Sequence, residues 1–223
     1  MNISEMLDSI AVPTQSAIRI EGPHDTVVWL DPFHLTDEES RHDATYICIT
    51  HSHYDHLSPE AIDAVKHQTT RFIVPASVKD EVRSLGVSDI TSMCAGDIQH
   101  FPDLIVEAVP AYNVLPERLE MHPQACGWLG CILTFPDNPV RIFCAGDTDQ
   151  NADNEKISCD IALIPIGGTY TMDPLQAAAF TNTIKPQVVI PIHYGSIVGA
   201  YADFDTFATH VDPHIRVVRK LER

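Results

Sequence analysis

The chain has 223 residues, a formal net charge of −17 at pH 7 and a hydrophobic content of 44%. This length and composition are typical of a globular unit with its own core, so we predict that residues 1–223 form a single domain. The acidic balance argues against a nucleic-acid partner, because nucleic-acid-binding proteins present a basic face. No apolar run reaches membrane-spanning length and the first residues lack a basic start, so we predict neither a membrane protein nor an exported one.

The six cysteines include no C-x-x-C pair. Cys48, Cys131 and Cys144 lie in apolar, strand-like runs, where cysteine behaves as a small core residue. A chain of this size needs no disulfide bonds. We therefore predict reduced thiols and a cytoplasmic location.

The apolar pattern predicts hairpins first and alternating strands and helices later. Strands are predicted at residues 17–21, 26–30, 45–49, 71–74, 97–101, 104–109, 128–135, 140–144, 161–165, 187–190 and 215–218. Helices are predicted after Ser58 and at residues 76–85, 174–184 and 203–211. This order favours two packed sheets with helices outside.

The strand at residues 45–49 leads directly into His-Ser-His-Tyr-Asp-His at residues 51–56. Imidazole nitrogens and carboxylate oxygens are ligands of zinc, iron and manganese. His51 and His53 are two residues apart in extended chain, point the same way and can therefore bind one ion. Asp55 and His56 lie beyond the bend and can face a second ion. The alternative is a solvated loop that is rich in histidine by chance.

Three other polar segments follow predicted strands in the same manner. They are Asp31-Pro32, Gly146-Asp147-Thr148-Asp149 and His193-Tyr194-Gly195. Each segment alone has an ordinary explanation as a turn or a structural histidine. Ligands at strand ends on one sheet edge share a rigid platform, so the combination indicates a site.

Four segments resemble, in type and in order, the motifs of the metallo-β-lactamase superfamily. They are Asp31, the H-x-H-x-D-H segment, Gly-Asp-Thr-Asp and Ile-Pro-Ile-His. The resemblance covers residues 17 to about 218. More narrowly, the chain is similar to the small, single-domain metal-dependent hydrolases of that superfamily, with ascorbate-phosphate lactonases and phosphodiesterases as broader relatives. The resemblance implies an α/β fold of the four-layer αββα sandwich type, with two metal ions at one sheet edge.

The resemblance also assigns metal ligands by position: His51 and His53 on the first ion, Asp55, His56 and His193 on the second, and Asp147 bridging both. Asp31 resembles the acid that orients the histidine loop without binding metal, with a plain turn as the alternative. Asp149 is either a further acid behind the ligands or an exposed acid at a helix start. Both readings of Asp149 stay open.

The third motif departs from the family pattern. The superfamily usually has a histidine near the end of the middle strand, where this sequence has Asn113. An amide oxygen is a poor zinc ligand beside imidazole, so His122 is the expected replacement, with a surface histidine before proline as the alternative. Asn113, Tyr170 and Tyr194 are weaker candidates for substrate contacts, and core packing is the alternative for each tyrosine.

The remaining seven histidines do not follow strands, and we expect them at the surface or in ordinary structural roles. They are His24, His34, His42, His67, His100, His210 and His214.

The resemblance implies hydrolysis of a small ester, lactone, amide or phosphoester by a hydroxide that bridges two divalent ions. Zinc is the expected ion, with manganese and iron as alternatives. Asp147 as the bridge and Asp55 as a proton shuttle are the catalytic candidates. We expect a small-molecule substrate, and the oligomeric state is left open. Two other functions remain: an iron-dependent oxidative enzyme on the same fold, or a metal-binding protein without catalysis.

Overall fold

The computed structural model describes residues 2–221. The helices in this part are α1 (Ile3–Asp8), α2 (Pro59–Val65), α3 (Lys79–Ser84), α4 (Pro174–Ile184) and α5 (Asp203–His210). The strands are β1 (Ile10–Ala11), β2 (Ile18–Glu21), β3 (Val27–Leu30), β4 (Ala44–Cys48), β5 (Lys66–Pro75), β6 (Ile90–Met93), β7 (Ile98–His100), β8 (Ile105–Pro110), β9 (Leu129–Phe135), β10 (Asn138–Cys144), β11 (Ile161–Pro165), β12 (Val188–Ile192) and β13 (Arg216–Val217). Within residues 2–221, no helix has the length and hydropathy needed to cross a bilayer.

The strands form two sheets. The first has the order β1-β2-β3-β4-β5-β6 and is antiparallel up to β3 and parallel from there. The second has the order β13-β12-β11-β10-β9-β8-β7, parallel as far as β10 and antiparallel beyond it. Neighbouring parallel strands end at the same sheet edge, where sites in α/β proteins usually lie. The segments after β3 and β4, and those after β10 and β12, are positioned in this way.

The two sheets share a core. One cluster of buried residues joins them and includes Ile18, Ile20, Val28 and Leu30 from the first sheet and Val106, Cys131, Leu133 and Ile142 from the second. A second cluster covers the other face of the first sheet, where Trp29 and Phe72 pack with Ile62 of α2 and Val82 of α3. On the second sheet, the ring of Phe143 lies 6.5 Å from that of Phe180 in α4. The layers run helix, sheet, sheet, helix, which confirms the predicted αββα sandwich.

Two helices begin at the residues that the sequence predicts. Ser58 caps α2 by accepting a hydrogen bond from the N–H of Ala61 at 3.4 Å. Asp173 caps α4 by accepting from the N–H of Gln176 at 2.8 Å, and the Gln176 side chain accepts from the N–H of Asp173 at 3.1 Å. Such caps satisfy N–H groups that have no partner within the helix, which fixes the helix start.

Other elements differ from the predicted set. Helix α1, which the apolar pattern does not indicate, is held by reciprocal hydrogen bonds between Asn2 and Glu5. The two edge strands β1 and β6 are also absent from the prediction. Strand β5 begins at Lys66, five residues earlier than predicted, because Lys66 pairs with Ala44 of β4. These differences do not affect the strand ends that carry the polar segments.

Candidate metal centre

The histidine-rich loop turns tightly after β4. The N–H groups of His56 and Leu57 donate to the carbonyl of His53 at 3.0 and 2.8 Å. This turn separates the first two candidate ligands of the loop from the last two. His51 and His53 share one group of donor atoms and Asp55 and His56 share another, while His51 and His56 also form a third group with Asp147.

Three histidines form the first donor group. The ring nitrogens of His51, His53 and His122 lie within 4.8 Å of one another. His51 Nε2 is 3.0 Å from His53 Nδ1. The ring of Trp128 lies against all three, with centroid distances of 4.9, 4.8 and 5.6 Å. Trp128 thus forms a rigid aromatic wall that restricts the imidazole orientations.

Asp55, His56 and His193 form the second donor group. Asp55 Oδ2 is 3.6 Å from His56 Nε2 and 3.5 Å from His193 Nε2. Asp147 lies between the groups: its Oδ1 is 3.5 Å from His56 Nε2, and its Oδ2 is 3.2 Å from His122 Nε2 and 3.1 Å from His193 Nε2. The structure therefore brings together all seven side chains that the sequence indicates as ligands.

Four of the donor atoms lie near one another without forming hydrogen bonds. His56 Nε2, His122 Nε2, His193 Nε2 and Asp147 Oδ1 are buried and have no hydrogen-bond partner within residues 2–221. Buried polar atoms are normally paired, because an unpaired one costs free energy. Imidazole nitrogens and carboxylate oxygens are ligands of zinc, iron and manganese. The donor set therefore fits divalent cations.

The electrostatics of the cluster suit metal binding. Burial lowers the pKa of His51 well below its usual value and also lowers that of His53, so both rings keep a nitrogen lone pair. Burial opposes the charge on Asp147, but His193 and His56 outweigh it and hold the pKa of that carboxyl well below its usual range. Burial likewise opposes the charge on His193, but Asp147 prevails and raises the pKa of His193 to about 9. A divalent cation bound here replaces protons that otherwise balance these carboxylates.

Asp31 lies behind the histidine loop. Its carboxylate accepts hydrogen bonds from the N–H and the hydroxyl of Thr50 at 2.8 and 2.6 Å. Asp31 Oδ2 is also 2.8 Å from His56 Nδ1, and the Thr50 hydroxyl is 2.9 Å from His51 Nδ1. With Nδ1 engaged in this way, the Nε2 atoms of both rings face the donor groups. The geometry is that of a residue that orients ligands from outside.

Gln15 ties the second donor group to the N-terminal segment, although nothing in the sequence pattern indicates it. Its Nε2 donates to Asp55 Oδ2 at 3.4 Å, and its backbone carbonyl accepts from the N–H of His193 at 2.9 Å. The Ser196 hydroxyl donates to Gln15 Oε1 at 2.6 Å. Gly167 allows the chain to approach His193, since a Cβ at Gly167 would lie 2.2 Å from the His193 carbonyl oxygen.

In the third motif, Asn113 supports His122 from behind. The N–H of Asn113 donates to the carbonyl of His122 at 2.8 Å, and its side-chain amide donates to the carbonyls of Arg118 and Tyr170 at 3.0 and 2.7 Å. His122 Nδ1 lies 3.2 Å from the Tyr170 carbonyl, so Nε2 is directed toward Asp147. His122 contributes a donor atom to the first group, whereas the Asn113 side-chain amide donates to the backbone carbonyls of Arg118 and Tyr170.

Asp149 is buried, which excludes the reading as an exposed acid at a helix start. Its carboxylate forms an ion pair with Arg118, which is buried as well. Arg118 has no motif signal in the sequence, because it ends a single 3₁₀ turn, Pro116–Arg118, and lies far from Asp149 along the chain.

A cavity of about 290 Å³ adjoins the donor groups and is lined by His53, Tyr54, Asp55, Met121, His122, Asp147, Tyr170, His193 and Ile197. Tyr194 does not line this cavity, which corrects the expectation of a substrate contact there. The backbone of His193 is left-handed, with φ at 56°. The next residue, Tyr194, is completely buried and belongs to the core cluster between the two sheets. Asn113 is buried behind His122 and is not among the lining residues either.

The seven histidines outside the donor groups are all exposed: His24, His34, His42, His67, His100, His210 and His214. Their positions agree with the surface roles that the sequence predicts.

Comparison with known proteins identifies relatives along most of the chain. A family model described as a beta-lactamase superfamily domain matches residues 9–193. A UPF0173 metal-dependent hydrolase of Koribacter versatilis is 28% identical over 216 residues, which are 89% of this chain and 91% of that protein. One of Staphylothermus marinus is 31% identical over 187 residues, which are 82% of this chain and 76% of that protein.

A comparison with solved structures identifies the same kind of protein. The crystal structure of a candidate metal-dependent hydrolase from Parabacteroides distasonis superposes with a TM-score of 0.80 at 29% identity, covering 96% of this chain and 93% of that chain. The family match includes every strand from β1 to β12 and every proposed ligand from His51 to His193. The chain therefore belongs to the metallo-β-lactamase superfamily and, within it, to the UPF0173 metal-dependent hydrolases.

Proposed function

We propose that the protein uses a dinuclear centre, with zinc as the expected ion, to hydrolyse a small ester, lactone, amide or phosphoester. The observation that carries this proposal is the pair of donor groups that share Asp147 beside a cavity of about 290 Å³. Membership of a family of metal-dependent hydrolases supports the reaction class.

In this proposal His51, His53 and His122 hold one ion, and Asp55, His56 and His193 hold the other, with Asp147 shared between them. Such ions, when bound, would supply an activated water molecule at neutral pH and would polarise the scissile bond. Asp31, Thr50 and Trp128 contact the parts of the imidazole rings that would not bind metal. These contacts keep the donor nitrogens in position.

Asp55 is proposed to move the proton as well as to bind metal. Its carboxylate lines the cavity, where the attacking water and the leaving group would both lie. Gln15 donates to Asp55 Oδ2 and so restricts its rotation. The carboxylate can then accept a proton from the water and return it to the leaving group.

We also propose that residues 1–223 act as one domain in the cytoplasm. The core cluster between the sheets includes residues from Met6 to Leu221, which supports a single unit. The buried thiols of Cys48, Cys131 and Cys144 suit a reducing compartment.

Metal analysis combined with a substrate screen tests the proposal. Gently purified protein is expected to carry about two transition-metal ions per chain, and protein reconstituted with zinc, manganese or iron is screened on esters, lactones, amides and phosphoesters. A content well below one ion per chain after reconstitution would contradict the dinuclear centre. Iron in both places, with oxygen consumption and no hydrolysis, would instead support the oxidative alternative, since the same donor set fits iron.

A further inference from the structure

The wall of the cavity beyond the proposed ligands consists of aromatic and aliphatic side chains without charge. Four lining residues are not proposed ligands, namely Tyr54, Met121, Tyr170 and Ile197. They are 67%, 41%, 38% and 37% exposed, so their side chains face the solvent around the opening. They come from four separate loops, and we refer to these four residues as the rim. Exposed apolar residues gathered around a concave site mark a surface for ligands.

The rim offers no positive charge. None of the described residues that line the cavity is lysine or arginine, and the acids among them are the proposed ligands Asp55 and Asp147. Arg118, in the loop that carries His122, is buried in its ion pair with Asp149 and does not line the cavity. A carboxylate or phosphate on the distal part of a substrate would therefore exchange water for at most the neutral hydroxyls of Tyr54 and Tyr170, with no cationic side chain to balance its charge, which costs free energy.

We propose that the substrate is a small neutral compound whose hydrolysable group lies at the metal centre and whose apolar arm packs on the rim. A cavity of about 290 Å³ is at the lower end of the ~300–1,000 Å³ typical of ligand pockets, which fits a compact aliphatic or aromatic arm. The inference rests on the proposed function and narrows its substrate class to neutral apolar esters, lactones or amides. Substrates with an anionic distal group are excluded.

Hydroxamates of matched length test the rim without knowledge of the substrate, because the hydroxamate group binds metal and the arm is varied. The probes are acetohydroxamate, hexanohydroxamate and adipic monohydroxamate, titrated calorimetrically into protein of measured metal content. Hexanohydroxamate is expected to bind at least roughly tenfold more tightly than acetohydroxamate, because its methylene groups leave water. The carboxylate-ended arm is expected to add no affinity.

Substitutions in the rim test whether these residues cause the tighter binding of the hexanoyl arm. Ile197→Ala and Tyr54→Ala are expected to reduce the advantage of the hexanoyl arm by about threefold or more, because each removes apolar contact area. Ile98→Ala is the matched control, since Ile98 is 54% exposed in β7 and does not line the cavity. Met121→Lys supplies the missing cation and is expected to improve binding of the carboxylate-ended arm by about threefold.

The outcomes separate this inference from the proposed function. If adipic monohydroxamate binds the unaltered protein as tightly as hexanohydroxamate or more tightly, the proposed role of the rim is wrong. The proposed metal centre is not affected by that result. Equal losses in Ile98→Ala and Ile197→Ala overturn it as well. Failure of metal-loaded protein to bind any hydroxamate contradicts the proposed function itself, and the inference falls with it.

Discussion

Arg118 and Asp149 form a buried ion pair beside the candidate metal centre, with the guanidinium Nε donating to Asp149 Oδ1 at 2.7 Å. Asp149 Oδ2 also accepts from the N–H groups of Val114 and Leu115 at 2.9 and 3.1 Å. Asp149 therefore fixes both ends of the turn that leads to His122. The acid two residues after the shared carboxylate acts on the fold of the loop, whereas Asp147 faces the donor groups.

Asp149→Ala is expected to lower the free energy of unfolding by roughly 3–5 kcal/mol, because the buried Arg118 charge loses its counter-ion and keeps only the neutral Gln176 side chain as a partner. Chemical denaturation of metal-free protein measures this change. Asp149→Asn is the milder comparison, since an amide oxygen can still accept hydrogen bonds from the loop. A change below about 1 kcal/mol in Asp149→Ala, as for an exposed pair, would contradict the role assigned here.

Asp147→Ala is expected to abolish hydrolysis and reduce metal content, because both donor groups lose the carboxylate that they share. The loss of activity should exceed about 100-fold, since changes outside the ligand shell alone cost 10–100-fold. Elemental analysis and a hydrolysis assay measure both effects. Asp80→Ala serves as the control, because the Asp80 side chain is 90% exposed in α3. Unchanged metal content in Asp147→Ala would show that Asp147 is not a ligand.

His122→Ala is expected to weaken the binding of one ion by at least roughly tenfold, because the first group then keeps only two imidazoles. Asn113→Ala should retain the metal stoichiometry but lose about 1–3 kcal/mol of stability, since buried carbonyls lose their donor. Titration with a competing chelator measures the affinities, and denaturation measures stability. Loss of one ion in Asn113→Ala with none lost in His122→Ala would reverse the two roles.

Thr50→Val tests the outer support of the centre with a substitution of similar shape. It removes the hydroxyl that joins Asp31 Oδ2 to His51 Nδ1, so metal affinity is expected to fall about 10–100-fold with every ligand retained. Thr134→Val is the matched control, because the Thr134 hydroxyl is buried in β9 without a hydrogen-bond partner in the described chain. If Thr50→Val and Thr134→Val lose metal to a competing chelator equally, the Thr50 hydroxyl does not support the metal centre.

The sequence predicts those parts of the fold and site whose causes are local. Helix α4 is predicted to the residue, because Asp173, Pro174 and Gln176 define its start within four positions. The candidate ligands are visible for a similar reason, since most of them follow apolar strands. His122 lies in a loop and was indicated only by the departure at Asn113.

Contacts between distant segments leave no such pattern. Gln15 reaches Asp55 across 40 positions and Ser196 across 181, and only the folded chain brings them together. Trp128 reads as the first residue of an apolar strand, yet its ring contacts three candidate ligands. Lys66 extends β5 because β4 lies beside it, although the polar residues that follow Lys66 resemble a loop.

The proposed ligands are divided between the two sheets. His51 follows β4 of the first sheet, whereas Asp147 and His193 follow β10 and β12 of the second. Ions bound between them would act as cross-links that hold the two halves of the sandwich together. Unfolding would then have to release metal, so each increase in free metal concentration would raise the melting temperature. The heat resistance of this protein would thereby depend on the metal supply of its surroundings.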